Sequence, residues 1–239
     1  MSELLTSMLN GMMISLVSLF GPLFLVMSGI LYRKVKRYKR SRYYAQTGHS
    51  YFKVVQDTGL YGEYLCVAAI EERVPNPLIL TNLYLPHPKN RERTTEIDVV
   101  FINKSGVHVI ESKNYSGWIF GHEQERHWTQ SMPNRKKFRF FNPIKQNELH
   151  MKAMEQTLAV ERSLLHSWIV FSDRSTLKRI DVAGVPVLNR KTWKQQIALS
   201  GEARLTLAEQ TAIYEHLLQF ASADEAVKKA HIAAKQRVT

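Results

Sequence analysis

The chain has 239 residues, of which 44% are hydrophobic and 23% are charged, and its formal net charge is +12. This composition supports a packed core and excludes wholesale disorder, and the length leaves room for one domain of ordinary size plus additional segments. The single cysteine, Cys66, excludes a disulfide framework and a closed cysteine-rich zinc site. Of the nine scattered histidines, His122 and His127 come nearest to a ligand pair, but no further ligand lies beside them in the sequence, so we expect no structural zinc.

An uncharged, mostly apolar segment occupies residues 4–32. About 20 such residues in a helix cross a hydrocarbon layer of about 30 Å, and the Gly21-Pro22 pair predicts a kink that a membrane helix tolerates. A cleavable signal peptide carries positive charge before its apolar region, whereas here Glu3 precedes the segment and a basic run follows it. We therefore predict a transmembrane signal-anchor helix, with residues 1–3 as a short tail outside the cytoplasm.

The basic run, Arg33 to Arg42, carries seven positive charges and no negative one, which is more than half of the net charge. By the positive-inside rule it predicts a single pass through the inner (cytoplasmic) membrane of the cell, with the N-terminus outside and the remainder of the chain in the cytoplasm. We expect the run to contact anionic lipid headgroups. The alternative is that the same charges bind nucleic acid. Neutralising the run would invert the topology in the first case and weaken DNA retention in the second.

The first half of the remaining chain alternates between helical and extended patterns. Residues 45–57 are polar and predict a linker. Val74-Pro75 predicts the end of the following helix, because the residue before a proline disfavours helical geometry. Short apolar runs separated by turn residues then predict strands, two of them paired as a hairpin. The predicted elements are a helix at Leu60–Arg73 and strands at Leu78–Leu85, Glu96–Ile102 and Gly106–Lys113.

The second half begins with a hairpin or loop over residues 116–130. A helix follows, with Asn142 as its N-cap and Pro143 at the first helical position. Two capping boxes near the C-terminus predict two final helices. The element order predicts an α/β fold, a three-layer sandwich on a mixed sheet. The remaining predicted elements are the helix from Asn142 to about Ser163, strands at Trp168–Asp173 and Val185–Asn189, and capping boxes at Thr206 with Glu209 and Ser222 with Glu225.

Three charged residues lie within the apolar strands of the predicted hairpin: Asp98, Glu111 and Lys113. Strand alternation places Glu111 and Lys113 on one face, and hairpin pairing can bring Asp98 alongside Glu111. Adjacent carboxylates repel each other, and burying an ionised group without a partner is costly. A hard divalent cation such as Mg²⁺ or Mn²⁺ resolves this conflict, because it prefers a pair of carboxylates plus water. Lys113 would then stand beside the cation, able to hold a water or a phosphate oxygen.

This pattern resembles the metal-binding core of the PD-(D/E)xK nucleases, in which an aspartate precedes an E-x-K triplet; here these are Asp98 and Glu111-Ser112-Lys113. The wider pattern is closer to the nuclease-related domain, NERD. The matching motifs are Gly62-Glu63, IDVVFI, GVHVIESKNYSG, Trp128, and NPIKQN with His150 one turn on. The chain departs from the family at Glu96 and Ser112, where the family often has glutamine and threonine. Both positions lie outside the charged trio.

The resemblance extends from about Leu60 to Phe171 and implies a restriction-endonuclease-like core at residues 58–172. Residues 33–57 would then be a basic juxtamembrane segment and linker, and residues 173–239 a C-terminal strand and helices that complete the domain. Bacterial relatives of this kind also carry a membrane helix ahead of the domain, which agrees with the apolar N-terminal segment.

The resemblance also implies roles for the trio. Asp98, Glu111 and the carbonyl of Ser112 would hold Mg²⁺, with Mn²⁺ as a substitute. Lys113 would orient or activate a water that attacks a phosphodiester in line, while the cation offsets the developing charge. The alternative is a buried structural ion-pair cluster without function, although burying such charges is costly.

Two further family positions fall at Glu63 and Gln146. Glu63 would add a carboxylate for a second metal or assist proton transfer; alternatively, it favours the helix N-terminus electrostatically. Gln146 shares a helix face with His150 at i, i+4, and both could contact phosphate or the water, or be structural. We expect Trp118 and Trp128 to contribute packing rather than base stacking.

Two functional hypotheses follow. The first is a membrane-anchored, Mg²⁺-dependent nuclease on the cytoplasmic side, acting on nucleic acid, with DNA as the expected polymer. The second is a non-catalytic, membrane-tethered nucleic-acid-binding or scaffold protein with a retired nuclease core. Other enzyme classes lack support, because the sequence contains no GxxxxGK[ST], no GxGxxG after a strand and no GxSxG.

Overall fold

The structure is a computed structural model that describes residues 2–198 and 201–221. The chain divides into two compact units, Met1–Ser41 and Arg42–Thr239. The first unit consists of the long helix α1 (Ser2–Lys39). Among the described residues, α1 alone is long and apolar enough to cross a membrane, a test of length and composition that a signal sequence also passes. The helix contains Pro22 and runs past the predicted boundary at Tyr32 into the basic run.

The second unit begins at Arg42, shortly before residues 45–57, which were predicted as a polar linker. Two short helices cover most of this region: α2 (Arg42–Thr47) and α3 (Tyr51–Gln56). Ser50 begins α3 as its N-cap, because its hydroxyl accepts a hydrogen bond from the Lys53 N–H. Tyr43 and Val54 are fully buried. Each of these short helices is therefore packed into the core through one buried residue, although their composition alone suggests irregular structure.

A helix and three antiparallel strands follow, as predicted. They are α4 (Thr58–Arg73), β1 (Leu78–His87), β2 (Asn90–Asn103) and β3 (Gly106–Lys113). The turn of the β2–β3 hairpin requires glycine, because Gly106 has a φ of +142° and a Cβ there would lie 2.2 Å from the carbonyl oxygen of Leu164. The predicted hairpin is confirmed, and β2 extends further toward its N-terminus than the apolar run indicated.

The first sheet has the strand order β1-β2-β3-β7-β9, in which β7 is Leu165–Phe171 and β9 is Val187–Asn189. The first three strands are antiparallel, whereas β7 is parallel to β3 and β9 is parallel to β7. The sheet is therefore mixed, as predicted. The strand predicted from Trp168 begins earlier, at Leu165, where charged and polar neighbours obscure the apolar pattern.

Helices cover both faces of the first sheet, as the apolar character of β2 and β3 predicted. On one face, α4 brings the Cys66 Sγ to 3.6 Å from the Ser112 hydroxyl oxygen. The opposite face carries α5 (Pro143–Leu158) and α7 (Leu207–Leu218). There Val109 of β3 shares a buried cluster with Met151 and Leu217. The site residues of β3 at odd-numbered positions therefore face α5.

The helix ends follow the capping signals with one exception. Asn142 caps α5 by accepting a hydrogen bond from the Ile144 N–H, as predicted. The helix ends at Leu158 rather than near Ser163, because Ala159 adopts left-handed geometry with a φ of +51°. The capping box at Thr206 and Glu209 begins α7, whereas the box at Ser222 and Glu225 lies outside the described residues. Helix α6 (Arg190–Gln196) was not predicted.

A second mixed sheet, which the sequence did not predict, has the order β6-β5-β4-β8. Its strands are β4 (Gly117–His122), β5 (His127–Ser131), β6 (Lys137–Phe141) and β8 (Ser175–Asp181). The β4–β5 pair confirms a hairpin within residues 116–130. The inner face packs Ile119 and Trp128 against Ile144 and Phe171. Strand β6 alternates basic residues with phenylalanine, and β8 has only Leu177 and Ile180 among polar and charged residues. Neither strand contains a long apolar run, which is why both escaped prediction.

Candidate active site

A cavity of about 270 Å³ opens where β3 leaves the first sheet, between the start of α4 and the start of α5. Every residue predicted as catalytic or metal-binding lines it, so the structure brings together positions that are far apart in the sequence. The lining residues are Thr58, Gly59, Glu63, Asp98, Glu111, Ser112, Lys113, Asn114, Tyr115 and Gln146. The chemical roles of these residues stay predictions.

Asp98 lies near the middle of β2, where the antiparallel register places it opposite Glu111. One of its carboxylate oxygens accepts a hydrogen bond from the Ser112 N–H at 3.1 Å. Burial raises the pKa of Asp98 to about 7, with the negative charge of Glu111 acting in the same direction and the cations of Lys113 and His150 opposing it. Hairpin pairing thus creates the carboxylate repulsion expected from the sequence.

Glu111 is the most enclosed acid of the site, with 1% of its surface exposed. Its Oε1 lies 2.6 Å from the Lys113 Nζ and its Oε2 lies 3.5 Å from the His150 Nδ1. Burial alone would lower the pKa of Lys113, but the charges of Glu111 and then Asp98 outweigh it and raise that pKa. Lys113 is therefore a cation at any physiological pH.

Helix α5 supplies the polar side chains that close the site on the far side. Gln146 lies one turn into the helix, and its Oε1 accepts a hydrogen bond from the Lys113 Nζ at 3.1 Å. His150 follows one turn later, buried at 2% exposure beside Glu111. Asn147 fixes the helix on the sheet by donating to the Val109 carbonyl at 3.3 Å. The i, i+4 spacing predicted from the sequence therefore directs both side chains toward the charged trio.

Glu63 faces the cavity from α4. Its Oε2 accepts a hydrogen bond from the Tyr43 hydroxyl at 2.9 Å. Burial, followed by the charge of Asp98, raises the pKa of Glu63 to about 8, although the Tyr43 hydrogen bond lowers it. Glu63 lies one full turn inside α4 rather than at its N-terminus, where Asp57 is the cap. The helix-terminus explanation therefore does not account for its position.

Gly62 allows α4 to approach the end of β3 closely. A Cβ at this position would lie 2.8 Å from the Cβ of Asn114 and 3.1 Å from the Ser112 hydroxyl oxygen. Asn114 reinforces this contact by donating from Nδ2 to the Thr58 carbonyl at 2.7 Å. The Gly62-Glu63 pair thus has a physical basis, because the glycine brings the helix close and the glutamate beside it reaches the cavity.

The chemical types of the side chains in the cavity suit a hard divalent cation, but in the described residues these side chains are not arranged as a ligand set. Asp98, Glu111 and Glu63 provide oxygen ligands, and the raised pKa values of Asp98 and Glu63 reflect negative charge that burial leaves under-compensated. Within residues 2–198 and 201–221, no three His, Cys, Asp or Glu side chains stand together as ready metal ligands. Glu111 is engaged by Lys113, so binding a cation requires a change in its rotamer.

Sequence analysis missed several residues that shape the cavity. Tyr43 lies in residues 33–57, which were predicted as a basic juxtamembrane segment and linker, and it carried no signal. Asn114 and Tyr115 directly follow the E-x-K triplet, so their position was the available signal. Arg174, in the loop between β7 and β8, donates from Nη2 to the Asn114 carbonyl at 3.1 Å, directly after the end of β3. No local pattern in the sequence relates Arg174 to the trio.

The two tryptophans that were expected to pack lie in different environments. Trp128 is fully buried and donates from Nε1 to the His122 carbonyl at 3.0 Å, which confirms its packing role. Trp118, also expected to pack, is 45% exposed, so that expectation is wrong. The reason is strand alternation, which turns Trp118 away from the core that receives Ile119.

The fold and the cavity define a class, since a mixed α/β core with acids and a lysine at the end of its central hairpin is consistent with a nuclease-like domain. In agreement, residues 58–172 match the family model described as nuclease-related domain, NERD. An uncharacterized protein of Bacillus anthracis is 36% identical over 141 residues, which is 58% of this chain and 66% of that relative. The chain therefore spans slightly less than two thirds of the relative's length. No solved structure matches the chain.

Proposed function

We propose that the protein is a membrane-anchored, divalent-metal-dependent nuclease that hydrolyses phosphodiester bonds of nucleic acid on the cytoplasmic side. The observation that carries the proposal is the convergence of Asp98, Glu111 and Lys113 in one cavity, joined by Glu63 and Gln146. The match to a nuclease-related domain over residues 58–172 supports it.

The side chains suggest a division of roles. Asp98, Glu111 and the carbonyl of Ser112 would hold Mg²⁺ or Mn²⁺, which would supply Lewis-acid stabilisation of the phosphoryl oxygens. Lys113 donates a hydrogen bond to Gln146 at 3.1 Å, and this contact can orient its ammonium group when Glu111 turns toward the cation. A phosphate oxygen or the attacking water can take the remaining donor of the ammonium group.

Glu63 is suited to moving a proton. Its pKa of about 8 keeps the carboxyl protonated near neutral pH, and the Tyr43 hydroxyl fixes its orientation. A protonated carboxyl in the cavity can donate to the leaving oxygen of the cleaved phosphodiester. A divalent cation in the same cavity would lower this pKa, so Glu63 is suited to proton transfer before the cation binds and to serving as a carboxylate ligand for a second metal afterwards.

One observation favours the second candidate, a non-catalytic nucleic-acid-binding protein. Glu111 already has a basic side chain on each side, the Lys113 Nζ at 2.6 Å and the His150 Nδ1 at 3.5 Å. Such a cluster can persist without a metal. The two candidates differ in whether adding a divalent cation displaces Lys113 from Glu111 and starts cleavage.

The test uses the full chain purified in detergent micelles and incubated with labelled single-stranded DNA, duplex DNA and RNA, each with Mg²⁺, Mn²⁺ or a chelator. We expect metal-dependent cleavage that Asp98→Asn and Lys113→Met each reduce by at least about 100-fold. Glu215→Gln, an exposed acid on α7, is the matched control and should leave cleavage unchanged. Metal binding in calorimetry without cleavage of any polymer would establish the non-catalytic candidate instead.

A further inference from the structure

The outer face of the second sheet exposes aromatic side chains that no core receives. Trp118 and Phe120 lie two residues apart on β4 and therefore share this face, at 45% and 36% exposure. Ile119 between them points inward and is fully buried. Large aromatic rings on a solvent-facing sheet mark a contact surface more often than a packing defect.

Cations accompany both rings. The register across the four strands runs from Arg139 on β6 through Thr129 on β5 to Phe120 on β4 and Arg179 on β8. This row spans about 14 Å and places Arg179 on the strand next to Phe120 and Arg139 on its other side, beyond Thr129. The Lys178 Nζ lies 5.7 Å from the centre of the Trp118 ring.

A second cavity of about 440 Å³ lies on the same face and includes Phe120 and Arg179 in its lining. This volume is within the range of small-ligand pockets and is sufficient for one nucleotide. Its rim also contains Glu125 and Asp181, and the Asp181 carboxylate lies 3.3 Å from the His122 Nε2. These carboxylates suit the amino groups of bases, whereas the flanking guanidinium suits phosphate.

The face lies close to the candidate active site along the chain. Tyr115 lines the first cavity, and Trp118 follows it by three residues. Three residues span at most about 11 Å, which is less than the reach of two nucleotides of an extended strand. The outer face therefore begins within about 11 Å of the first cavity.

We propose that the outer face of the second sheet binds single-stranded nucleic acid. One base stacks on Trp118, the next nucleotide enters the second cavity against Phe120, and the phosphates contact Lys178, Arg139 and Arg179. Exposed aromatic platforms interleaved with cations are the general means of binding single strands, because every base offers a π-face and every nucleotide a charge. The inference deepens the proposed function. It rests on that function in one respect, namely that the bound strand is treated as the substrate.

A bilayer and a protein partner fit the face less well. Membrane-contacting aromatics gain by entering an apolar layer, but the guanidiniums of Arg139 and Arg179 flank Phe120 across the sheet rather than forming a separate rim. Protein interfaces concentrate apolar residues centrally and exclude charge from that centre. The alternation of ring and cation matches a polymer that itself alternates base and phosphate.

The experiment measures binding apart from cleavage. The full chain in detergent micelles, with a chelator present, is titrated into a fluorescent oligothymidylate of about 15 nucleotides and into the same oligomer paired with its complement. We expect the single strand to bind at least about 10-fold more tightly than the duplex, since pairing hides the base faces. Trp118→Ala should weaken single-strand binding by about 5- to 100-fold, and Trp118→Tyr should restore most of it.

Two further variants sharpen the result. Phe138→Ala removes a ring on β6 that is 52% exposed. Phe138 pairs with Gln130, which pairs with the inward-facing Ile119, so Phe138 does not belong to the outer face and binding should not change. Arg179→Gln should reduce the slope of log affinity against log salt by about 0.7. Unchanged thermal melting of Trp118→Ala verifies that its fold is intact.

Three results overturn the inference: equal affinity for single strand and duplex, an unchanged affinity in Trp118→Ala, or an equal loss in Phe138→Ala. If Trp118→Ala instead abolishes binding to anionic vesicles or self-association while sparing the oligomer, the face belongs to a membrane or a second copy. Binding that persists without cleavage in Mg²⁺ contradicts the nuclease proposal alone. Cleavage that is indifferent to Trp118→Ala, with unchanged oligomer binding, contradicts this inference alone.

Discussion

The two sheets place their charged side chains in opposite environments. The first sheet encloses Glu111 and Lys113 beneath a helix, where each charge must find a partner within the protein. The second sheet leaves Arg139 and Arg179 in water, where solvent satisfies them without a partner. A charge in a buried strand therefore signals a site, whereas a charge in an exposed strand becomes informative only through its neighbours.

The largest expected effect comes from removing the cation of the buried pair. Lys113→Met leaves Glu111 enclosed without its 2.6 Å partner, so we expect a loss of about 3–5 kcal/mol in unfolding free energy, measured by denaturant titration. Combining it with Glu111→Gln removes the uncompensated charge and should recover most of the loss while activity stays absent. If Lys113→Met alone were as stable as the native chain, the ion pair of Glu111 and Lys113 would not be desolvated.

A smaller effect is expected where the helix meets the first sheet. Gly62→Ala places a methyl group 2.8 Å from the Asn114 Cβ, so α4 must shift away from β3. We expect a loss of about 1–3 kcal/mol in stability by thermal unfolding, with reduced cleavage because Glu63 moves with the helix. An increase in stability, as expected from helix propensity alone, would show that the close approach is not required.

A third expectation concerns acid stability on the other face of the first sheet. His108 stacks on Phe101 at 4.1 Å, and its Nδ1 accepts a hydrogen bond from the Trp168 Nε1. Burial, followed by the charge of His166, lowers the pKa of His108 well below its ordinary value of 6.5. The unfolded chain then binds more protons below pH 6.5, so stability falls as the pH decreases from that value.

The expected contribution of His108 is at most about 1.4 kcal/mol per pH unit, until the pH reaches the pKa of the folded state. His108→Gln keeps polar groups but cannot titrate, so its unfolding free energy between pH 6.5 and pH 5 should fall less steeply than that of the native chain. Identical slopes would show that His108 does not carry this dependence.

The smallest effect is expected from an ion pair on the second sheet. His122 and Asp181 lie 3.3 Å apart with side chains 44% and 74% exposed. Asp181→Asn should change unfolding free energy by no more than about 0.5 kcal/mol, because solvent already screens the pair. A loss comparable to that of Lys113→Met would remove the distinction between the two sheets.

The trio was predictable because its information is local. Asp98, Glu111 and Lys113 belong to one hairpin, and strand alternation with a short turn is enough to bring them together. Glu63 and Gln146 required the family resemblance, since helix packing against a sheet edge leaves no local pattern. Tyr43 was missed because a buried tyrosine in a polar segment resembles an exposed one.

The second sheet escaped prediction for the complementary reason. A sheet with one solvent-exposed face needs apolar residues on its inner face only. Strand β6 supplies phenylalanines beside basic residues, and β8 supplies Leu177 and Ile180 among charged ones. Composition therefore suggested loops. Trp118 was assigned to packing because burial cannot be read from residue type when the neighbouring strands are not recognised.

The parallel pairing of β3 with β7 has a consequence for the order of assembly. Only two residues, Lys104 and Ser105, separate β2 from β3, whereas residues 114–164, including the whole of β4, β5, β6 and α5, separate β3 from β7. Local contacts form sooner than contacts that close long loops. We therefore expect Asp98 and Glu111 to meet while still hydrated and to lose that water when α5 docks, which would place the closing of the charged cavity late in folding.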